Sequence, residues 1–318
     1  MYSVVIPLYN KAHTIKSTLQ TVLQQTYPNF EVIIVNDGST DNGIEVVKNF
    51  THDERIRIIT QANHGVSSAR NTGVQHSIYN YIAFLDGDDE WLPTYLETMR
   101  VSIIKYPQAG MYCCAGVVRN ANGTESLRLA HKYKDSITKI DFFENPGVFL
   151  HTSATIVSKS VFYLTKGFPV GIKKNEDFAL FFNIALISDV IYCGKPLSVY
   201  VGGIQGQATQ SSLDLVIYDI IERYNYVHDI WERTDQSKKT YIVYTKYELR
   251  HLFLSFIRKD DFDSIKLFLK KINPSLLKLF NPFECFIYKK PWLKLISTTY
   301  ILFTKVIWRY HGFPVVRN

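Results

Sequence analysis

The first hundred residues alternate short apolar runs with segments whose apolar residues recur at helical spacing. The apolar runs cover residues 3–7, 31–37, 55–60 and 81–85. The middle of the second run is continuously apolar, as parallel strands buried on both faces require. A helix is predicted between the first two runs, from about Thr14 to Gln25. Strands alternating with helices predict an α/β fold with a doubly wound, mostly parallel sheet flanked by helices.

A polar cluster follows each of three predicted strands. These clusters are Tyr9-Asn10, Asp37-Gly38-Ser39 and Asp86-Gly87-Asp88. In open α/β sheets ligands bind outside the carboxyl ends of the strands, near the point where the strand order reverses. The three clusters therefore predict one binding site, and their convergence is stronger support than any single motif.

Three carboxylates, Asp86, Asp88 and Asp89, lie within four residues. Like charges this close raise a pKa or require a cation, and oxygen ligands suit Mg²⁺ or Mn²⁺. On this stretch alone, a solvated acidic turn is the alternative.

The second half of the chain has a mixed pattern. Residues 111–118, 155–157 and 190–192 have strand-like patterns, and a polar, basic stretch extends to Lys139. Glu176 and Asp177 begin a helix in which Phe178, Phe181, Phe182 and Ala185 are predicted to form the buried face. From Ser211 the pattern is helical. We therefore expect a catalytic domain over residues 1–210 and a helical, basic and aromatic region over 211–318.

Charge, cysteine content and apolar segments indicate the compartment in which the protein is expected. Lys and Arg exceed Asp and Glu by 16 to 5 from Gln236 onward, within a chain of net charge +7. Four cysteines without a CxxC spacing predict reduced residues of a cytoplasmic protein. Met1 leads directly into a strand pattern, so no signal peptide is expected. The apolar stretch Leu295–Thr304 is too short to span a membrane, which takes about 20 residues.

Five motifs, in this order, resemble the signatures of family 2 glycosyltransferases. They are residues 4–10 (VVIPLYN), 35–41 (VNDGSTD), 65–71 (GVSSARN), 85–89 (LDGDD) and 175–177 (NED). The resemblance covers roughly residues 1–210. It implies a GT-A fold, a nucleotide-sugar donor that is usually a UDP-sugar, and inversion at the anomeric carbon.

The resemblance also implies residue roles. Binding of the nucleotide sugar is implied for Pro7, Tyr9, Asn10, Asp37, Gly38, Ser39, Arg70, Asp86 and Gly87. Asp88 and Asp89 would bind a divalent metal, Mn²⁺ or Mg²⁺. Asp177 matches the catalytic base, which removes the proton of the acceptor hydroxyl, and Glu176 would bind the acceptor or its loop.

Simpler interpretations of these residues stay open. Tyr9 could be a tyrosine at the edge of the core, Asp37 a helix or turn cap, and Arg70 a surface arginine. Asp89 could cap a helix beginning near Trp91. Glu176 and Asp177 could be acidic residues that favour the start of a helix without a catalytic role.

Departures from the family pattern favour addition of a single sugar. The Gln-x-x-Arg-Trp signature of processive synthases is absent. Residues 205–210 replace a loop that carries a cation near the phosphates in many relatives. His151-Thr-Ser153 resembles an acceptor-side segment, although a strand edge is nearly as good an interpretation.

The C-terminal region has two opposed patterns. Lys290, Lys294, Lys305 and Arg309 form a basic helical stripe, and the opposite face carries Trp292, Ile296, Tyr300, Phe303 and Ile307. A helix of this kind over 290–309 suits an anionic membrane surface. The alternative is packing on the catalytic domain. No motif for nucleic acid accompanies the charge.

The sequence thus predicts a cytoplasmic glycosyltransferase, with peripheral attachment to the inner face of the plasma membrane as one alternative. It would transfer one hexosyl or N-acetylhexosaminyl group to a glycan or lipid-linked acceptor in bacterial surface polysaccharide or lipopolysaccharide synthesis. A non-catalytic nucleotide-sugar-binding subunit of an assembly complex is the second hypothesis. A nucleotidyltransferase is disfavoured, because its usual glycine- and Arg/Lys-rich N-terminal loop is absent.

Overall fold

A computed structural model of the chain describes residues 1–145, 150–203, 216–234 and 239–310. The chain divides into two compact units. The first comprises the described residues of Met1–Ile140 and Val148–Gln210, and the second those of Asp141–Gly147 and Ser211–Asn318.

The first unit is built on one mixed sheet of ten strands. The strands are β1 (Tyr2–Leu8), β2 (Phe30–Asp37), β3 (Ile56–Gln61), β4 (Tyr81–Phe84), β5 (Glu90–Trp91), β6 (Met111–Arg119), β7 (Glu125–Arg128), β8 (Ile137–Ile140), β9 (Thr155–Ser158) and β10 (Val190–Val201). Their order is β3-β2-β1-β4-β9-β6-β10-β5, with β7 paired to β6 and β8 to β10. Strands β1 to β4 are mutually parallel, and β9 is antiparallel to both of its neighbours. This architecture confirms the predicted α/β fold with a mostly parallel central sheet.

The described residues of this unit form six α-helices. They are α1 (Ile15–Leu23), α2 (Gly43–Phe50), α3 (Val66–His76), α4 (Tyr95–Lys105), α5 (Lys159–Leu164) and α6 (Glu176–Ile187). Helix α3 packs directly on β1, and a Cβ on its Gly73 would lie 2.2 Å from Cγ1 of Val5. Only glycine permits this approach. Because β1 has β2 on one side and β4 on the other, the strand order reverses at β1.

Three details of the sequence prediction were wrong. The basic stretch before Lys139 contains β7 and β8, which the sequence pattern did not indicate. Residues 90–91 form β5, so Asp89 does not cap a helix there. Helix α6 is buried continuously from Ala179 to Leu186, so its burial is not confined to one face.

The second unit is helical. Its helices are α7 (Val216–Arg233), α8 (Lys239–Arg258), α9 (Phe262–Lys271), α10 (Pro274–Leu277), α11 (Pro282–Ile287) and α12 (Lys294–Tyr310). Tyr224, Phe253 and Phe268 contribute to its core. Arg250 donates to the fully buried Glu284 with Nε···Oε1 2.8 Å. Across the described residues, none of the helices combines the length and the apolar character needed to cross a membrane.

Candidate functional site

A cavity of about 800 Å³ lies beyond the carboxyl ends of β1, β2 and β4. Nine residues predicted for the site line it, namely Pro7, Tyr9, Asp37, Arg70, Asp86, Gly87, Asp88, Asp89 and Glu176. The structure therefore brings together polar clusters that are far apart in the chain. The other wall includes Gly171, Ile172 and Lys173, which precede α6, and Tyr200 on β10.

Asp37 organises the loop that leads into α3. One of its carboxylate oxygens, Oδ1, accepts hydrogen bonds from Gln61 Nε2 at 2.7 Å and from the His64 amide at 3.0 Å. The other, Oδ2, accepts from the Gly65 amide at 2.8 Å. Asp37 thus holds a turn, as one sequence interpretation proposed, and it also lines the cavity. Its role toward a nucleotide base stays a prediction.

Asn10 and Ser39 connect the loops after β1 and β2. The side-chain oxygen Oδ1 of Asn10 accepts from the Thr40 amide at 2.8 Å. Ser39 Oγ accepts from the Asn10 amide at 3.2 Å and donates to the Leu8 carbonyl at 3.3 Å. Gly38 has φ +70°, and a Cβ there would lie 2.8 Å from the Asn63 nitrogen. These three predicted residues shape the loops and are not among the residues that line the cavity.

Tyr9 is the large aromatic residue at the mouth of the cavity. Its side chain is 46% exposed, and its role toward a base stays a prediction. An exposed ring at the end of β1 can stack on a planar base. Pro7 lies two residues earlier, in β1, and its carbonyl oxygen is 3.3 Å from the point that a Cβ on Gly87 would occupy. The small size of Gly87 thus lets the acidic turn approach β1 closely.

The three carboxylates of the acidic turn have different partners. Asp86 accepts from Arg70 Nη2 at 2.6 Å, and Asp88 forms an ion pair with Lys11. Asp89 is 2% exposed and accepts from Ser153 Oγ at 2.5 Å and from the Val201 amide at 3.1 Å. Each of the three carboxylates is thus bound by a different set of protein groups.

Burial raises the pKa of Asp89 well above its usual range, and repulsion from Asp86 and Asp88 adds to this effect. Both of its oxygens are bound by protein donors. This geometry gives no support to the prediction that Asp89 binds a metal. It assigns Asp89 to holding the turn against β10.

Arg70 is 3% exposed, so it is not a surface arginine. Its Nη1 donates to Glu176 Oε1 at 2.7 Å, and its guanidinium lies 5.1 Å from the centre of the Phe168 ring. Burial opposes the charge, but Asp86 and Glu176 outweigh it and raise the pKa of Arg70. Arg70 lines the cavity while its terminal nitrogens bind two carboxylates. The prediction that it neutralises a diphosphate stays untested.

Asp177 occupies the first turn of α6, beside Glu176. The preceding Asn175 has φ 60°, a left-handed conformation that asparagine adopts more readily than most residues. Asp177 Oδ1 accepts from the Phe178 amide at 2.8 Å, and Oδ2 accepts from Thr152 Oγ1 at 3.4 Å. Desolvation raises the pKa of Asp177 to about 7; repulsion from Glu176 adds to this, and Arg70 opposes it. A carboxyl with this pKa can accept a proton near neutral pH.

Within the described part of the chain, no group of three or more His, Cys, Asp or Glu residues is placed to hold a metal ion. Mg²⁺ needs fewer protein ligands, because it is commonly bound through one or two carboxylates together with substrate phosphates and water. Asp88 lines the cavity and is already paired with one cation, the Lys11 ammonium. The carboxylate oxygens of Asp88 therefore fit a divalent metal, and the metal would compete with Lys11 for this carboxylate.

Sequence reasoning missed two residues that organise the site. Ser153 donates to Asp89 and accepts from the Asp86 amide at 3.1 Å, while its carbonyl accepts from Trp91 Nε1 at 2.6 Å. Lys11 is the second. Ser153 lies in the segment 151–153 for which an acceptor-side role was predicted, and the structure gives that segment a supporting position. Lys11 directly follows the first motif, so its place in the sequence was the available signal.

Two other predicted features lie partly outside the described residues. Residues 205–210 fall in an undescribed range, as do the side chains of Ile307 and Arg309. For the rest of the stretch 290–309, Ile296 of the predicted apolar face is 49% exposed. Tyr300 is half-buried, whereas Trp292 and Phe303 are exposed.

A family model and the similar proteins of known sequence point to the same family. The model of the family described as Glycosyl transferase family 2 matches residues 3–163. The glycosyltransferase GlyA of Streptococcus pneumoniae is 33% identical over 213 residues, which are 62% of this chain and 30% of GlyA. The Escherichia coli UDP-Glc:alpha-D-GlcNAc-diphosphoundecaprenol beta-1,3-glucosyltransferase WfgD is 36% identical over 121 residues, which are 38% of this chain and 47% of WfgD. The chain thus spans less than half the length of either relative.

A solved structure extends the comparison to the whole fold. The crystal structure of S. aureus TarS 1–349 in complex with UDP-GlcNAc has a TM-score of 0.74 to this chain and 15% sequence identity. The match covers 99% of this chain and 93% of the TarS chain. At this identity the likeness concerns the fold, and it includes the C-terminal helices.

Proposed function

The chain belongs to glycosyl transferase family 2, and from this premise we propose that it is an inverting glycosyltransferase. It transfers a single sugar from a nucleotide diphosphate donor, a UDP-sugar, to a glycan or lipid-linked acceptor. The observation that carries this proposal is the placement of Asp86, Asp88 and Glu176 on one cavity. Asp177 is not among the residues that line the cavity; it follows Glu176 in the first turn of α6, and the proposal requires its carboxylate to reach an acceptor bound beside this cavity.

The donor side uses the ends of β1, β2 and β4. We assign Tyr9 to stacking on the base, and Asp37 to accepting a hydrogen bond from a uracil N–H. Asp86 contacts the nucleoside side of the donor. Stacking of a base on an aromatic ring contributes about 1–3 kcal/mol. Asn10, Gly38 and Ser39 act indirectly in this proposal, by fixing the loops.

Asp177 is the proposed general base. Inversion in one displacement requires a base on the face opposite the leaving group. The acceptor hydroxyl gives its proton to a carboxylate oxygen of Asp177 as the hydroxyl oxygen forms its bond to the anomeric carbon. The bond from that carbon to the diphosphate breaks, and the electron pair leaves with the nucleoside diphosphate. Thr152 and the Phe178 amide orient the carboxylate.

Asp88 is the residue proposed to hold a divalent cation, Mn²⁺ or Mg²⁺. Such a cation supplies positive charge that stabilises a departing diphosphate. Lys11 provides a second positive charge on the same wall. Arg70 has a different proposed role, because both of its terminal nitrogens are engaged. It positions Asp86 relative to Glu176, and acts on the donor through them.

The proposed acceptor belongs to bacterial surface polysaccharide synthesis. The name of WfgD describes transfer from UDP-Glc to a diphosphoundecaprenol-linked sugar, and the TarS structure contains UDP-GlcNAc. These names support a UDP-sugar donor and a lipid-linked or polymeric acceptor for this chain. We further propose a cytoplasmic enzyme attached peripherally to the membrane.

Donor binding and product stereochemistry test the proposal together. Nucleotide sugars are screened for thermal stabilisation of the protein with Mn²⁺, with Mg²⁺ and with EDTA. We expect stabilisation by a UDP-sugar when the metal is present. The best donor is then incubated with polyprenyl-diphosphate-linked sugars and oligosaccharides, and the anomeric configuration of the product is read by NMR. An α-linked donor should give a β-linked product.

A binding subunit without activity would give stabilisation but no product with any acceptor, and this outcome would reject the proposed catalysis. A product with retained configuration would reject the role given to Asp177. The same assays with Asp177→Asn provide the matched control, because the substitution removes the base without changing the size of the side chain.

A further inference from the structure

The second unit carries many exposed apolar side chains on α11, on α12 and in the turn between them, and we call this set the outer face. Its members are Phe283, Phe286, Trp292, Leu295, Ile296, Leu302, Phe303 and Val306. The most exposed are Leu295 at 79% and Trp292 at 73%, with Phe303 at 62%. Single exposed apolar side chains are ordinary on protein surfaces, whereas eight of them within residues 283–306 are typical of an interaction site.

Helix α12 already has a separate face for packing. Leu293, Ser297, Ile301 and Thr304 are buried, and Ser297 Oγ donates to the Ile287 carbonyl at 3.0 Å. The spacing of the exposed residues 295, 302 and 306 places them together on another side of the helix. The core of the unit is therefore complete without the outer face, so packing of α12 within this unit does not explain its apolar character.

The segment that forms the outer face carries mainly positive charge. Residues 274–306 contain five lysines and a single acidic residue, Glu284, which is fully buried and paired with Arg250. Lys289 and Lys290 are exposed in the segment between α11 and α12, and Lys290 Nζ lies 5.9 Å from the ring of Phe286. Lys294 is paired with Asp260. Lys278 is exposed as well, and the two adjacent exposed lysines, Lys289 and Lys290, give the segment between α11 and α12 a net positive charge.

We propose that the outer face docks on an anionic lipid bilayer. A helix with an exposed apolar face and neighbouring lysines lies in the membrane plane and inserts about 5–10 Å into the boundary between headgroups and acyl chains. Trp292 suits the interface, because indole has an apolar body and a polar N–H. A second copy of this chain is a less suitable partner for the outer face, since its Lys289 and Lys290 would lie close to those of the first copy and repel them.

This inference extends the membrane association that was proposed with the function, and it can be tested without any transfer reaction. The full chain is incubated with vesicles of phosphatidylcholine alone and of phosphatidylcholine mixed with phosphatidylglycerol, and the bound fraction is measured by sedimentation. We expect binding to the mixed vesicles, weaker binding to phosphatidylcholine, and partial release by salt.

Variants separate the apolar contribution from the charge. Leu295→Ser/Leu302→Ser should lower the partition coefficient by about tenfold or more, because two inserted side chains are lost. Val101→Ser/Ile104→Ser is the matched control, since both residues are exposed aliphatics on α4 at 51% and 61%. Lys289→Gln/Lys290→Gln should lower binding to the mixed vesicles roughly 25-fold, at about 1 kcal/mol for each lysine, with little change for phosphatidylcholine.

Three outcomes would overturn the proposal. The protein could fail to bind the mixed vesicles at low salt, or the α4 control could lose binding as strongly as the α12 variant. Light scattering could instead show a dimer that Leu295→Ser/Leu302→Ser dissociates, which would assign the outer face to a second copy. Asp177→Asn should bind vesicles like the parent protein. Failure of membrane docking can therefore be distinguished from failure of the proposed catalysis.

Discussion

Arg70 and Glu176 form an ion pair with Nη1···Oε1 2.7 Å, although 106 residues separate them in the chain. The second terminal nitrogen of the same guanidinium donates to Asp86 at 2.6 Å. One buried cation thus links the turn after β4 to the first turn of α6. Because the guanidinium is planar and its donors have fixed directions, it fixes the spacing between Asp86 and Glu176, the two carboxylates that it bridges.

Replacing Arg70 by lysine should impair catalysis more than donor binding. A lysine has one nitrogen and cannot bridge Asp86 and Glu176 in the same way. A displacement of about 1 Å at a reacting group can cost roughly 100-fold in rate, so we expect kcat to fall by about that factor while KM for the donor changes little. Steady-state kinetics with the best donor measure both constants.

Arg55→Lys is the matched control for this prediction. Arg55 also binds a carboxylate through two nitrogens, at Asp53, but its side chain is 34% exposed. Exposed ion pairs contribute at most about 1 kcal/mol, so this variant should keep the activity and stability of the parent. Unchanged kcat in Arg70→Lys would show that the buried bridge does not position the site.

The rate of transfer should rise with pH through about 7. Desolvation and the charge of Glu176 raise the pKa of Asp177 to about 7, and the base must be ionised to accept a proton. A profile of kcat/KM between pH 5 and 9 should therefore show an ascending limb whose midpoint lies near neutrality. A rate that is flat from pH 5 upward would contradict the assigned pKa.

The same carboxyl makes stability change in the opposite direction. The folded protein keeps a proton on Asp177 at pH values where the unfolded chain, with an ordinary pKa near 3.8, has released it. Because the folded state binds this proton more tightly than the unfolded chain does, the free energy of unfolding decreases as pH rises from about 4 to 7. Urea unfolding at pH 5 and pH 8 should show a smaller loss for Asp177→Asn than for the parent. Equal losses would indicate that Asp177 titrates normally.

Removing the Lys11 ammonium should strengthen divalent-metal binding in the absence of donor. Lys11 occupies the Asp88 carboxylate in an ion pair, so a metal must compete with it. In Lys11→Met we expect the affinity for Mn²⁺ to rise roughly fivefold, corresponding to about 1 kcal/mol for a partly exposed pair. Loss of the free Mn²⁺ signal in electron paramagnetic resonance measures this binding directly.

Lys16→Met serves as the control for charge alone, because Lys16 is exposed on α1 near the Phe50 ring. Its affinity for Mn²⁺ should match that of the parent. A lower affinity in Lys11→Met would mean that Lys11 supports the metal site and does not compete with it.

The sheet was predictable because parallel strands buried on both faces carry long apolar runs, as in β1 and β2. The meeting of the polar clusters was predictable for a second reason: parallel strands have their carboxyl ends at the same edge of the sheet, so residues that follow those ends lie close together. Strands β7 and β8 were not, because each has only four residues, and β7 carries three polar residues of its four.

The contacts of individual site residues were harder to predict than their position. The partners of Asp89 lie 64 and 112 residues away, at Ser153 and Val201. Hydrogen bonds over such separations leave no local pattern in the sequence. Arg70 is a similar case: its motif indicated a role at the site, but its binding to two carboxylates depends on the placement of α6.

The central claim is that Asp88 and Asp177 serve one cavity in two different steps, binding and proton removal. The most direct measurement compares Asp88→Asn and Asp177→Asn in metal-dependent donor binding by calorimetry and in single-turnover transfer. We expect Asp88→Asn to lose most of the metal-dependent donor affinity. Asp177→Asn should bind the donor like the parent and lose roughly 10²–10⁴-fold in rate. Full transfer by Asp177→Asn, or undiminished metal-dependent binding by Asp88→Asn, would contradict the account.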